Sequence, residues 1–127
     1  MTVQSTNTMT DLPLGLQGEL LTGLQNIAGS AQVISGESDQ AASYCKDWTG
    51  QFSATPIAVV KPKTTAEVAA IMRLCHDHGV PIVPAGGRTG LCGGGVATGD
   101  GDSIVVSLER MNAVRALDVS ARSMTVE

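Results

Sequence analysis

Between Pro84 and Val96 the chain reads Pro-Ala-Gly-Gly-Arg-Thr-Gly-Leu-Cys-Gly-Gly-Gly-Val, which places six of its fifteen glycines within ten positions. Glycine loses more backbone freedom on folding than any other residue, so such a cluster needs a use that only glycine serves. Two uses fit: positive φ, and close approach of main-chain N–H groups to a ligand with no Cβ in the way. Successive N–H groups in such a loop form a concave anion cradle, most often for a phosphate or pyrophosphate. Pro81 and Pro84 stiffen the approach to the loop by fixing φ. The segment reads as the phosphate-binding loop of a nucleotide cofactor site, with Thr89 and Arg88 adding side-chain donors. The competing reading is a flexible Gly-rich linker, in which Arg88, Thr89 and Leu91 would be out of place.

Two familiar phosphate sites do not match. A Rossmann turn sets G-x-G-x-x-G between a strand and a helix whose N-terminus holds the pyrophosphate. Here Val96 to Asp102, which follow the glycines, are polar and Gly-rich with no helical period. A P-loop closes its glycines with Lys-Ser or Lys-Thr, and neither is present.

The other reactive side chains are scattered. Cys45, Cys75 and Cys92 are far apart and odd in number, matching neither a disulfide framework nor a CxxC motif, so a reducing, cytoplasmic setting is the simplest account. Cys92 lies inside the Gly loop and reads as a small space-filling residue ahead of a reactive thiol. His76 and His78, two positions apart, fall on different helix faces with no third ligand nearby, so no metal site is expected.

Around these residues stands a chain of 127 residues, with 43% hydrophobic, 16% charged and 2% aromatic content and a net charge of −4. The balance describes a globular protein with an aliphatic core and argues against nucleic acid as the main partner. Residues 1–11 are polar, lack the basic and apolar regions of a secretory signal, and read as a disordered tail. No apolar run is long enough to span a membrane. Leu16, Leu20, Leu21, Leu24 and Ile27 recur at helical spacing up to Gly29, and Val33-Ile34 reads as a short extended piece. Tyr44 and Trp48 read as core anchors of a loop ahead of ligand contacts.

From Ile57 the pattern sharpens. Ile57 to Val60 is an apolar run expected as a strand buried on both faces. Thr64 to Glu67 form a capping box, and Val68, Ile71, Met72 and Cys75 line one face of the helix it opens, which Gly79 ends. Val80 to Val83 return as a second strand, completing a strand–helix–strand unit with parallel strands. Asp100 to Asp102 mark a turn, Ile104 to Val106 a further strand and Arg122 to Glu127 a strand cut short; Met111 to Leu117 are ambiguous.

Three blocks resemble the FAD-binding domain of the PCMH-type, or vanillyl-alcohol oxidase, flavoproteins. They are Pro56-x-Ala58-Val59-Val60-x-Pro62-x-Thr64-x-x-Glu67-Val68, the run from His78 to Gly94, and Ser107-Leu108-x-Arg110-Met111-Asn112. The nearest branch is the D-2-hydroxyacid dehydrogenases acting on D-lactate, glycolate or D-2-hydroxyglutarate; Tyr44 with Asp47-Trp48 resembles the segment preceding the domain there. The resemblance implies an α+β fold, the first subdomain of a PCMH-type domain: a βαβ unit followed by further strands and preceded by an N-terminal helical segment. It divides the chain into the tail 1–11, a helical segment 12–52, and a partial FAD-binding domain 53–127 truncated at its C-terminal end.

The resemblance further implies oxidation of a D-2-hydroxy acid by hydride transfer to flavin. Gly86, Gly87, Thr89, Gly90, Gly93 and Gly94 would hold the FAD pyrophosphate, Pro84 would shape the loop's approach, and Leu91 would lie beside the cofactor. Arg88 stands where some family members carry a flavin-linking His, which implies non-covalent FAD; its side chain either faces the diphosphate or points to solvent. The base, carboxylate clamp and any metal are expected outside these residues, along with the electron acceptor's site, so the 127-residue chain alone is expected to be inactive. The alternatives are a non-catalytic nucleotide-binding or assembly fragment, self-associating through an open sheet edge at 122–127, and another enzyme of the same fold.

Overall fold

The computed structural model describes residues 14–127; the expected tail at 1–11 lies outside the described residues. Helix α1 (Leu14–Ala28) is followed by a 3₁₀ turn, then strand β1 (Val33–Ser35) and a second 3₁₀ segment (Asp39–Tyr44). Next come β2 (Ala58–Val60), α2 (Thr65–Asp77), β3 (Ile82–Ala85), β4 (Ile104–Ser107), β5 (Val114–Asp118) and β6 (Ser123–Val126). The main sheet has the order β1-β2-β4-β3, with β1 antiparallel and the other three parallel. The expected strand–helix–strand unit is therefore present, but β4 lies between its two strands.

The apolar runs explain the layers. Successive side chains of a strand alternate between faces, and both faces are covered here. Ala58 and Val60 of β2 join Ile104 and Val106 of β4 beneath the two helices, with Leu20, Leu24, Ile71 and Cys75. Val59, Val105, Val83 and Ala85 face the other way, against Ile34, Ala41 and Tyr44. Leu20, Leu24 and Ile71 are fully buried, and each such side chain contributes roughly 1.5–3 kcal/mol. Met72, expected on the buried face of α2, is instead exposed; Leu74, on the other side, packs against the core. The predicted face keeps Ile71 and Cys75 but takes Leu74 in place of Met72, because α1 covers the flank that Leu74 occupies: a Cβ at Gly23 of α1 would lie 2.7 Å from the Leu74 side chain.

Local signals close the elements. Gly29, at φ +92, follows α1, and its N–H returns to the Gln25 carbonyl at 2.9 Å. At the start of α2 the Thr64 hydroxyl accepts the Glu67 N–H at 3.2 Å, while Glu67 Oε2 accepts from the Lys63 N–H at 2.6 Å. The box thus closes one residue earlier than its usual reciprocal form. Gly79 takes φ +65 at the end of α2, where His78 Nδ1 stands 2.8 Å from the Leu74 carbonyl.

The ambiguous segment and the cut-short strand resolve together. β5 and β6 pair antiparallel as a separate two-stranded sheet whose residues are all exposed, including Val114, Leu117, Met124 and Val126.

Candidate functional site

The three parallel strands deliver their C-terminal ends to one rim. There β2 runs out into Lys61, β3 into Gly86, and β4 into Leu108 and Glu109. Carboxyl ends of strands are where open α/β sheets bind ligands. β3 occupies the sheet edge, so Pro84 costs the ladder no central donor. The chain leaves this edge strand directly into the glycines.

The polar groups of the loop are used asymmetrically. Two of its carbonyls bond to the protein: Gly90 accepts from the Trp48 N–H at 3.4 Å and Gly93 from the Val96 N–H at 3.1 Å. Among the described residues, none of the main-chain N–H groups from Gly86 to Gly95 finds an acceptor. Buried N–H groups are nearly always paired, but these are at the surface and open to an incoming anion.

Steric facts separate the glycines. A Cβ built on Gly86, Gly87, Gly90 or Gly94 would meet nothing within 4 Å, and none of these four takes a left-handed φ. The chain's own packing does not require glycine there. Gly93 differs, with φ +72 and a hypothetical Cβ only 2.7 Å from the Phe52 side chain. Four positions free of a side chain, within a run of free donors, let a phosphate group approach the backbone closely.

Arg88 has φ +56, a conformation costing an L-residue on the order of 1 kcal/mol. Its guanidinium is engaged by the segment before the domain. The carbon of the fork lies 4.2 Å above the centre of the Tyr44 ring, and Nη1 donates to Ser43 Oγ at 2.7 Å. Tyr44 is buried, as expected of an anchor, whereas Trp48 is 74% exposed and anchors nothing. The Asp47–Phe52 turn explains the difference, because its backbone pairing holds Trp48 at the loop's outer side.

Behind Tyr44 lies a polar network invisible in the sequence. Tyr44 Oη donates to Glu109 Oε2 at 2.6 Å, Ser107 Oγ donates to the same oxygen at 3.2 Å, and Lys61 Nζ lies 3.2 Å from Glu109 Oε1. Burial and the adjoining carboxylate raise the Tyr44 phenol above its ordinary value. The Tyr44 hydrogen bond holds the Glu109 carboxyl below its own, aided by Lys61 and opposed by burial. Arg110 fixes the same corner by donating to the Lys61 carbonyl at 2.7 Å.

A groove of about 440 Å³ runs along this rim, lined by Gly86, Gly87, Arg88, Leu108, Glu109 and Glu127 among others. Its two carboxylates are paired, Glu109 with Lys61 and Glu127 with Arg115 at 2.8 Å, which offsets their charge toward an anion. A larger cleft, about 570 Å³, lies at the opposite end of the sheet against Gln17, Glu37 and Asp100. It holds no comparable run of free donors. Of the other expected site residues, Thr89 and Leu91 are exposed beside the glycines. Cys92 is exposed as well, so it fills no space within the chain. Among the described residues no three His, Cys, Asp or Glu side chains gather as metal ligands.

The profile of the family described as FAD binding domain matches residues 56–127. The chain belongs to this FAD-binding domain family. D-2-hydroxyglutarate dehydrogenase of Xanthomonas citri pv. viticola is 39% identical over 84 residues, covering 66% of this chain and 17% of the relative. Glycolate oxidase subunit GlcD of Bacillus subtilis is 38% identical over the same length, again covering 66% and 17%. The FAD-binding domain also superimposes on p-cresol methylhydroxylase solved with substrate bound, with a TM-score of 0.70 and 25% identity over 83% of this chain and 21% of that one. The fold is thus that of a PCMH-type FAD-binding domain, its cofactor is FAD, and the chain spans about a fifth of the length of the proteins it matches.

Proposed function

We propose that this chain is the N-terminal, diphosphate-holding part of a longer FAD-dependent oxidoreductase that oxidises a D-2-hydroxy acid. The observation that carries the reading is the run of unpaired N–H groups from Gly86 to Gly95, which includes four glycines that the chain's own packing does not require. In this reading Gly86, Gly87, Gly90, Gly93 and Gly94 donate main-chain hydrogen bonds to the diphosphate and Thr89 adds its hydroxyl. Pro84, in an edge strand, fixes the loop's departure, and Leu91 lines the cofactor's flank. Arg88 in place of a flavin-linking His supports non-covalent attachment. When bound, FAD supplies a two-electron acceptor for the hydride of the substrate's α-carbon.

The substrate class rests on the names of the relatives, which include D-2-hydroxyglutarate and D-lactate dehydrogenases. The catalytic base, carboxylate clamp, acceptor site and any metal fall, in this reading, outside residues 1–127, as does the remainder of the FAD domain that begins at 53. Within the helical segment 12–52, α1 packs on one face of the sheet through Leu20 and Leu24, and Tyr44 on the other. No described helix is long and apolar enough to cross a membrane; the cytoplasm is the proposed compartment, supported by the absence of any disulfide among the three cysteines.

An assembly role is the second reading, favoured by the fully exposed β5–β6 hairpin. One experiment separates the two. The 127-residue chain and the full-length reading frame are each passed through gel filtration with FAD, and the flavin absorbance of the protein peak is read. Flavin with the long form that oxidises D-2-hydroxy acids supports the enzyme; a flavin-free dimer of both forms supports assembly.

A further inference from the structure

We propose that Arg88 is a loop-positioning residue: clasped on Tyr44 and Ser43, it fixes the left-handed turn from which the free N–H groups of Gly86 to Gly95 project. The inference rests on the proposed diphosphate role of this loop for its purpose, though not for its geometry. Arg88 sits in the middle of the donor run, yet its fork is committed elsewhere, 4.2 Å over the Tyr44 ring and 2.7 Å from Ser43 Oγ. A guanidinium over an aromatic face is held by the ring quadrupole, more strongly where the ring is shielded from water. The ring is an unusually fixed platform. Tyr44 is 5% exposed, its hydroxyl is tied to Glu109, and Glu109 is tied in turn to Lys61 and Ser107 at the ends of two strands.

The geometry gives the clasp a task. A non-glycine residue at φ +56 carries a conformational cost, which the contacts of the Arg88 side chain offset. The loop's other ties reach surface partners, the Gly90 carbonyl to the Trp48 N–H and Gly93 to the Phe52 side chain, while Gly86 and Gly87 have no neighbours within 4 Å of a Cβ position. The side chain of Arg88 is the contact that connects the middle of the loop to the core, through a segment forty-five residues earlier in the chain. The loop is thereby shaped before a ligand arrives, which reduces the ordering that binding must supply.

Two measurements test this on the full-length protein. The first needs no cofactor: trypsin cleavage after Arg88 is compared with cleavage after Arg122, which lies in an exposed turn. A clasped arginine cannot enter the protease's specificity pocket, so wild type should be cut at Arg88 at least tenfold more slowly than at Arg122. Ser43→Ala should narrow that gap several-fold, Tyr44→Leu should abolish it, and Tyr44→Phe, which keeps the ring, should leave most of it. If Tyr44→Leu does not fold, Ser43→Ala still decides. Equal cleavage at the two sites in wild type overturns the clasp.

The second measurement is FAD affinity and its salt dependence in Arg88→Ala and Arg88→Gly. Ala keeps the φ strain and loses the clasp, whereas Gly loses both, so Ala should weaken binding about tenfold and Gly should recover most of it. The salt slope should match wild type in both variants. Equal losses in Ala and Gly with a shallower slope would mean that Arg88 contacts the diphosphate directly, and the positioning role fails. Wild type that binds no FAD removes the proposed function while the protease result still judges the clasp.

Discussion

Gly36 and Gly87 show the two halves of this molecule at single-residue scale. A Cβ at Gly36 would lie 1.7 Å from the Pro56 carbonyl oxygen, so the fold itself excludes a side chain there. A Cβ at Gly87 would touch nothing. The first belongs to the scaffold, where β1 meets the approach to β2 and the Gly36 N–H donates to the Ile57 carbonyl at 3.1 Å. The second belongs to a loop whose donors have no internal partner. Residues that a fold needs are explained by their neighbours within the chain; residues kept for a ligand are recognisable because they are not.

The contrast can be broken from either side. The largest expected effect is in the scaffold: Gly36→Ala should destabilise by roughly 4 kcal/mol, because a backbone oxygen cannot move aside as a flexible side chain can. Urea unfolding would check it, and a near-neutral result would show that the close approach is not required. Ile71→Ala, a fully buried deletion in α2, should cost about 3 kcal/mol in the same assay. Thr64→Ala removes the hydroxyl that caps Glu67 and should cost about 1 kcal/mol.

A smaller effect sits where scaffold and loop join. Glu109 ionises below its ordinary value of 4.5, chiefly because Tyr44 donates to it. Its folded pKa is the lower one, so its stabilisation is present above about pH 4.5 and is lost as pH falls through the folded value. The stability gap between wild type and Glu109→Gln, followed by thermal melts from pH 7 downward, should shrink below pH 4.5. A gap that widens with acid would contradict the assigned network.

The sequence made the scaffold readable because its signals are local. The all-apolar runs Ala58–Val60 and Ile104–Val106, the Thr64 cap, and Gly29 and Gly79 each announce themselves within a few residues. The glycine cluster was equally plain, and its place after an apolar strand pointed to its rim. What could not be read depended on distant partners. Leu74 replaced Met72 on the buried side of α2 because α1 arrives there. Trp48 became exposed through pairing of the turn that follows it. Glu109 fell at an unmarked position between Leu108 and Arg110, and only the fold brings it to Tyr44, sixty-five residues away in sequence. Arg88 was identified as a site residue, but its direction depends on the same fold-borne platform.

The most direct test of the loop's assignment is FAD affinity of Gly87→Ala in the full-length protein, measured beside its melting temperature. If the position is kept bare for the diphosphate, the melting temperature should stay within a few degrees of wild type while FAD binding weakens tenfold or more. A variant that folds as wild type and binds FAD equally well would contradict the cradle.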